Sequence, residues 1–172
     1  PLVLIGNPDR ILLVAEGYAT AASLHEATGH PVAVAFDAGN LLPVAQAVHK
    51  KWKRARVLIC ADDDYRTEGN PGVTHANTAA LAVDGSVLAP VFSDERPVDH
   101  KGPTDFNDLH QIEGLHVVAK QVADHLAGLG WAVSAALHGA GGALQGGGEK
   151  DNDPRPAAVA IMELDEIVDR FL

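Results

Sequence analysis

Ile11-Leu-Leu-Val-Ala-Glu16-Gly17 is five apolar residues stopped by a carboxylate and a glycine, and it runs straight into the helical pattern Tyr18 to Thr28. A run so short and so uniformly apolar fits a strand covered on both faces. Gly29 and Pro31 then end the helix with a C′ glycine and a downstream proline. The order repeats along the chain. Pro31 to Phe36 reads as a second strand with Asp37-Ala-Gly-Asn40 as its exit loop, and a helix covers Leu41 to Lys53, with Pro43 tolerated in its first turn. Arg56 to Ala61 is a third strand, followed by a loop from Asp62 to Gly72, a helix from Val73 to Val83 and a fourth strand from Ser86 to Phe92. Leu2 to Ile5 is a further short-strand candidate. Strands alternating with helices define an α/β fold: about four mostly parallel strands, right-handed crossovers, and helices flanking the sheet.

Beyond the fourth strand, a polar loop from Ser93 to Thr104 reaches Asp105-Phe-Asn-Asp-Leu109, and a last helix covers Leu115 to Leu129. Residues 1–130 are thus expected to form one domain with its core in 11–109. Residues 131–156 read as a Gly-rich flexible linker by composition. Residues 157–172 carry Ile161, Leu164, Ile167, Val168 and Phe171 on one face of an amphipathic helix, the start of a next domain or a helix docking back on this one. The chain opens at Pro1 without a methionine, as a piece of a longer protein would.

With 47% hydrophobic and 21% charged residues the composition is that of a globular domain; aromatics, at 5%, leave the core to Val, Leu, Ile and Ala. The single cysteine, Cys60, excludes an internal disulfide and fits a reducing cytoplasm. No apolar run is long enough to span a bilayer. A net charge of −10 argues against a general affinity for nucleic acid. The exception is His49-Lys50-Lys51-Trp52-Lys53-Arg54-Ala55-Arg56. Its favoured reading is a solvated helix end that complements the dipole; the alternative is a phosphate-contacting patch formed by Lys50, Lys51 and Lys53.

The chemistry lies in the carboxylates. In parallel sheets ligands bind beyond the carboxyl ends of the strands, which is where Glu16, Asp62 and Asp64 fall. Singly, Glu16 is a helix-start charge and Asp62-Asp63-Asp64 a solvated turn. Together they repel and raise each other's pKa, a cost that a hard divalent cation removes. Period-two spacing sends Asp62 and Asp64 to one side, with Asp63 facing away.

This arrangement resembles the Toprim domain, the metal-binding module of bacterial-type primases, topoisomerases and some nucleases. The resemblance rests on Glu16-Gly17, the small polar loop Asp37 to Asn40, the pair Asp62-x-Asp64, and Lys101-Gly-Pro-Thr-Asp105-Phe-Asn107-Asp108-Leu109. The stretch Glu16 to Ser23 is similar to the version in conjugative-plasmid and phage primases. The resemblance implies Glu16, Asp62 and Asp64 as catalytic metal ligands for Mg²⁺, with Mn²⁺ able to substitute. It implies Asp105, Asp108 and Asn40 as an outer shell, and Lys101 beside the basic run as a phosphate contact. It implies nucleotidyl transfer making RNA primers on single-stranded DNA, in concert with zinc-binding or helicase domains of the same protein, the fragment alone being inactive. A Toprim nuclease and a non-catalytic scaffold remain as alternatives.

Receiver-type and haloacid-dehalogenase-type sites fit less well, since both need an acidic pair or nucleophile after the first strand. His25 and His30 are five residues apart and do not share a helix face, so they do not make a zinc-protease helix.

Overall fold

The computed structural model describes residues 2–93 and 102–131, and the backbone of 159–162. The elements follow in the order β1 (Leu2–Ile5), β2 (Ile11–Ala15), α1 (Tyr18–Thr28), β3 (Val32–Val34), α2 (Leu41–Lys51), β4 (Arg56–Cys60), α3 (Pro71–Ala82), β5 (Ser86–Leu88), α4 (Phe106–Glu113), α5 (Leu115–Gly128) and β6 (Val159–Met162). They form one sheet in the order β5-β4-β2-β3-β1-β6. The four strands β2 to β5 are parallel, while β1 runs antiparallel to β3 and to β6. The α/β, mostly parallel architecture read from the sequence is therefore the observed one.

Period-two alternation divides the core. Leu12 and Val14 of β2 and Val57 and Ile59 of β4 pack with Leu41, Ala45 and Val48 of α2 and Ala76 and Ala79 of α3. Ile11, Leu13 and Ala15, with Leu58 and Cys60, face Leu24 of α1, Phe106 and Leu109 of α4, and Val118 and Val122 of α5. Both layers are sealed: Leu12, Leu13, Leu24, Leu58 and Phe106 have no exposed surface. Each such side chain contributes about 1.5–3 kcal/mol by leaving water.

After β3 on one side of β2, the chain crosses to β4 on the other. That reversal opens a crevice outside the carboxyl ends of β2 and β4, the place where ligands bind in such sheets.

Several boundaries differ from the sequence reading. β3 is shorter because Phe36 adopts φ 65° and turns the chain out of the sheet. β5 stops before Pro90, which has no N–H to donate. α3 starts at Pro71, suited to a first helical position, with Asn70 as its cap. Phe106–Glu113, between the expected loop Ser93 to Thr104 and the expected last helix, is the helix α4. Asp105 and Asp108 close a capping box at its start, and Phe106 and Leu109 anchor it in the core.

The helix expected over 157–172 is corrected in part. Val159–Met162 is β6, paired with Leu2–Ile5. The outer edge of β1 offers unpaired backbone groups, and a β-branched Val-Ala-Ile-Met segment can satisfy them as a strand. The rest of that segment, including Leu164, Ile167, Val168 and Phe171, lies outside the described residues, as do 132–158 of the linker region and Lys101.

Candidate functional site

The register of β2 on β4 pairs Ala15 with Cys60. The first residues beyond each strand, Glu16 and Ala61, therefore emerge side by side, with Asp62 next. The backbone there is pinned. Phe36 N–H donates to Glu16 O at 2.7 Å, and Ala61 N–H donates to Leu88 O at 2.9 Å.

Asp64 is held by α3. Its Oδ2 accepts from the Gly72 N–H at 3.0 Å, in the first turn of the helix, where backbone donors and the dipole favour an anion. Gly72 permits this approach: a Cβ there would stand 2.2 Å from Asp62 O and 3.0 Å from Asp64 Oδ2. Asp63 is directed elsewhere, its Oδ1 accepting from Asn70 Nδ2 at 2.6 Å.

A second wall comes from α4. Asp105 Oδ1 accepts from Asp108 N–H at 2.8 Å, and Asp108 Oδ2 accepts from Thr104 N–H at 2.8 Å. Thr20 Oγ1 of α1 donates to Asp105 Oδ2 at 2.9 Å. One turn on, Ser23 Oγ lies 3.2 Å from Asn107 Oδ1 and 3.0 Å from His110 Nδ1. These two buried hydroxyls tie α1 to α4. Their three-residue spacing on one helix face was a legible signal that the sequence reading did not use.

Electrostatics shows how closely the acids gather. Asp62 is pushed up to about 7, by burial first and then by the charges of Glu16, Asp105, Asp64 and Asp108. Glu16 is also raised, by burial and then by Asp64 and Asp37, while a hydrogen bond from the Ala38 backbone and the nearby His75 pull the other way. Asp62 Oδ1 is sealed from solvent and receives no hydrogen bond from any described residue. A buried carboxylate oxygen without a donor costs free energy unless a proton or a cation meets it.

The donor set is all oxygen, as a hard divalent cation requires. Among the described residues no three His, Cys, Asp or Glu side chains stand close enough to hold an ion unaided. That suits Mg²⁺, which is commonly held by one or two protein carboxylates and completes its shell with water and substrate phosphates. The residues fit such an ion.

Not every candidate joins this group. Asn40 spends its side-chain amide on Ala35 O at 3.2 Å and caps no helix with it. Lys50, Lys51 and Lys53 lie beside Arg10, at the amino end of β2, away from the carboxylates. Lys101 is outside the described residues.

The Toprim domain family model matches residues 11–116. The chain belongs to the Toprim family. Two curated relatives agree, both named DNA primase TraC and both from Escherichia coli. One is 41% identical over 134 residues, covering 73% of this chain, and the other is 45% identical over 98 residues, covering 55%. The matched regions make up only 12% and 7% of those proteins, which are much longer than this Toprim chain. No solved structure matches it. Among the described residues, no helix of this Toprim domain is long and apolar enough to cross a membrane.

Proposed function

We propose that this Toprim domain is the metal-dependent centre of a DNA primase of the conjugative-plasmid type, which joins nucleotides into a primer on single-stranded DNA. The reading is supported above all by Asp62: a buried carboxylate with an unpartnered oxygen, ringed by four other acids and holding a proton up to about pH 7. Folding stability gains nothing from that arrangement, and a divalent cation would relieve it.

Glu16, Asp62 and Asp64 would line the place of the ion, most economically Mg²⁺, with one or two of them as direct ligands and water completing the shell. When bound, it supplies charge neutralisation at phosphate oxygens and a template for in-line attack. The protein's own work is positional. α3 fixes Asp64 through Gly72 N–H, and the strand register fixes Glu16 against Asp62. Asp105 and Asp108, locked in their capping box, face Asp62 with negative charge that tightens its hold on any cation. Glu16, raised above its ordinary range, is suited to take a proton from an attacking hydroxyl and release it again.

The test is primer synthesis by the full-length protein on single-stranded template. Asp64→Ala is expected to abolish it while folding is retained. Undiminished synthesis would show the domain to be a scaffold. Cutting of the template by the unmodified protein, without primer synthesis, would show a nuclease.

A further inference from the structure

At the amino end of the sheet, opposite the carboxylates, lies an open groove of about 480 Å³, lined by Arg10, Lys50, Lys51, Lys53, Arg54 and the indole of Trp52. The edge is drawn together by the pairing of β2 with β4: Arg56 N–H donates to Arg10 O at 2.8 Å, which joins the residue ahead of β2 to the start of β4. Five of the chain's 13 Lys and Arg residues (Arg10, Lys50, Lys51, Lys53, Arg54) line it, on a molecule of net charge −10. The helix dipole explains only the last turn of α2, with Lys50 and Lys51. Arg10, Lys53 and Arg54 stand off that helix and are exposed, while the nearby Arg56 lies over the Trp131 ring, 5.2 Å from its centroid. Among the described residues none of the five is in a salt bridge. Among the described residues that line the groove only Asp9 is acidic, and its Oδ1 accepts from the Arg10 backbone N–H. So many unneutralised cations repel one another, and a polyanion relieves that repulsion.

Trp52 narrows the class of polyanion. It is half-buried and packed against the core, and the Lys51 ammonium lies 4.8 Å from its ring centroid. The indole thus brings to the groove an aromatic ring with a cation set over it. An aromatic face among backbone-tracking cations is how single strands are held without sequence preference. We infer that this groove is a single-stranded DNA tether, separate from the acidic crevice. From Arg10 to Glu16 the chain advances six residues of strand, roughly 20 Å. A strand held here is kept near the carboxylate edge without competing for it.

The test is binding of the full chain to a fluorescent oligothymidine, followed by anisotropy in EDTA between 50 and 200 mM salt, so that carboxylate-bound metal plays no part. The triple variant Lys50→Ala, Lys53→Ala, Arg54→Ala should lower affinity and reduce the slope of log affinity against log salt by about 2, from about 0.7 per lost phosphate contact. Trp52→Leu should weaken binding about tenfold and leave the slope unchanged. Trp52→Phe, which preserves an aromatic face and the core contact, should restore most of that loss. Lys120→Ala, which removes a cation paired with Asp124 elsewhere on the surface, should bind as the unmodified chain does. No binding at 50 mM salt, or a triple variant with unaltered slope, overturns the tether. Primer synthesis lost in Asp64→Ala with binding intact would separate this result from the fate of the metal site.

Discussion

Replacing Asp62 by asparagine should make the metal-free domain more stable, by a gain that grows from near pH 4 and is fullest at neutral and alkaline pH. The folded protein holds the Asp62 proton up to about pH 7, against an ordinary value of 3.8. The unfolded chain gives that proton up near 3.8. Between those values the folded state binds more protons, so stability falls as pH rises through the interval and stays low above it. The interval is about three pH units, and at 1.36 kcal/mol per unit the ceiling is about 4 kcal/mol. Partial access of water to Asp62 reduces that, so about 2–4 kcal/mol is expected. Asparagine keeps the shape, carries no charge, and offers an N–H₂ to the surrounding carboxylates. In a chain of this size each kcal/mol moves Tm by about 2–4 °C, so Asp62→Asn should melt about 5–15 °C higher at pH 8.5 in EDTA and show little gain near pH 4. Thermal and urea melts followed by circular dichroism across pH 4 to 8.5 measure this. A variant no more stable than the unmodified chain at pH 8.5, or stabilised equally at both ends of the range, would refute the reasoning.

Other perturbations probe the supports of the site. Gly72→Ala places a Cβ against Asp62 O and Asp64 Oδ2; it should cost about 1–3 kcal/mol as an overpacked contact and abolish stabilisation by Mg²⁺, both read from melts with and without the ion. Asp105→Ala removes the α4 cap and the Thr20 partner; a loss of about 1–2 kcal/mol is expected in urea titrations, together with a lower Asp62 pKa by carboxyl NMR, since one of the charges that raise it is gone. Thr20→Val, isosteric without the hydroxyl, should cost about 1 kcal/mol in the same titrations and vanish as an extra effect in the Asp105→Ala background, because the two share one hydrogen bond.

The parallel core was legible because its signals are local. The five-residue apolar runs at Ile11 and Arg56 and the stops at Gly29 and Pro31 lie within a few residues of the elements they define, and α1 occupies the expected Tyr18–Thr28. The convergence of Glu16 with Asp62 and Asp64 followed from topology alone. What was not legible depends on partners distant in sequence. α4 has no sequence signature of its own because its apolar content is only Phe106, Leu109 and Ile112; its stability comes from the Asp105–Asp108 box and from burial against α1. β6 is a strand because β1 presents an open edge, a condition that no window around Val159 can reveal. Arg10 joins the basic groove through the pairing of β2 with β4, forty-odd residues away from the basic end of α2.

The most direct examination of the metal site is an amide NMR titration of the domain with Mn²⁺, whose unpaired electrons broaden nearby signals. Glu16, Asp62, Asp64 and Gly72 should lose intensity first, at stoichiometric additions, and Mg²⁺ in excess should restore them. Broadening that begins elsewhere, or that leaves those four residues untouched, would contradict the assignment of the crevice as a divalent-cation site.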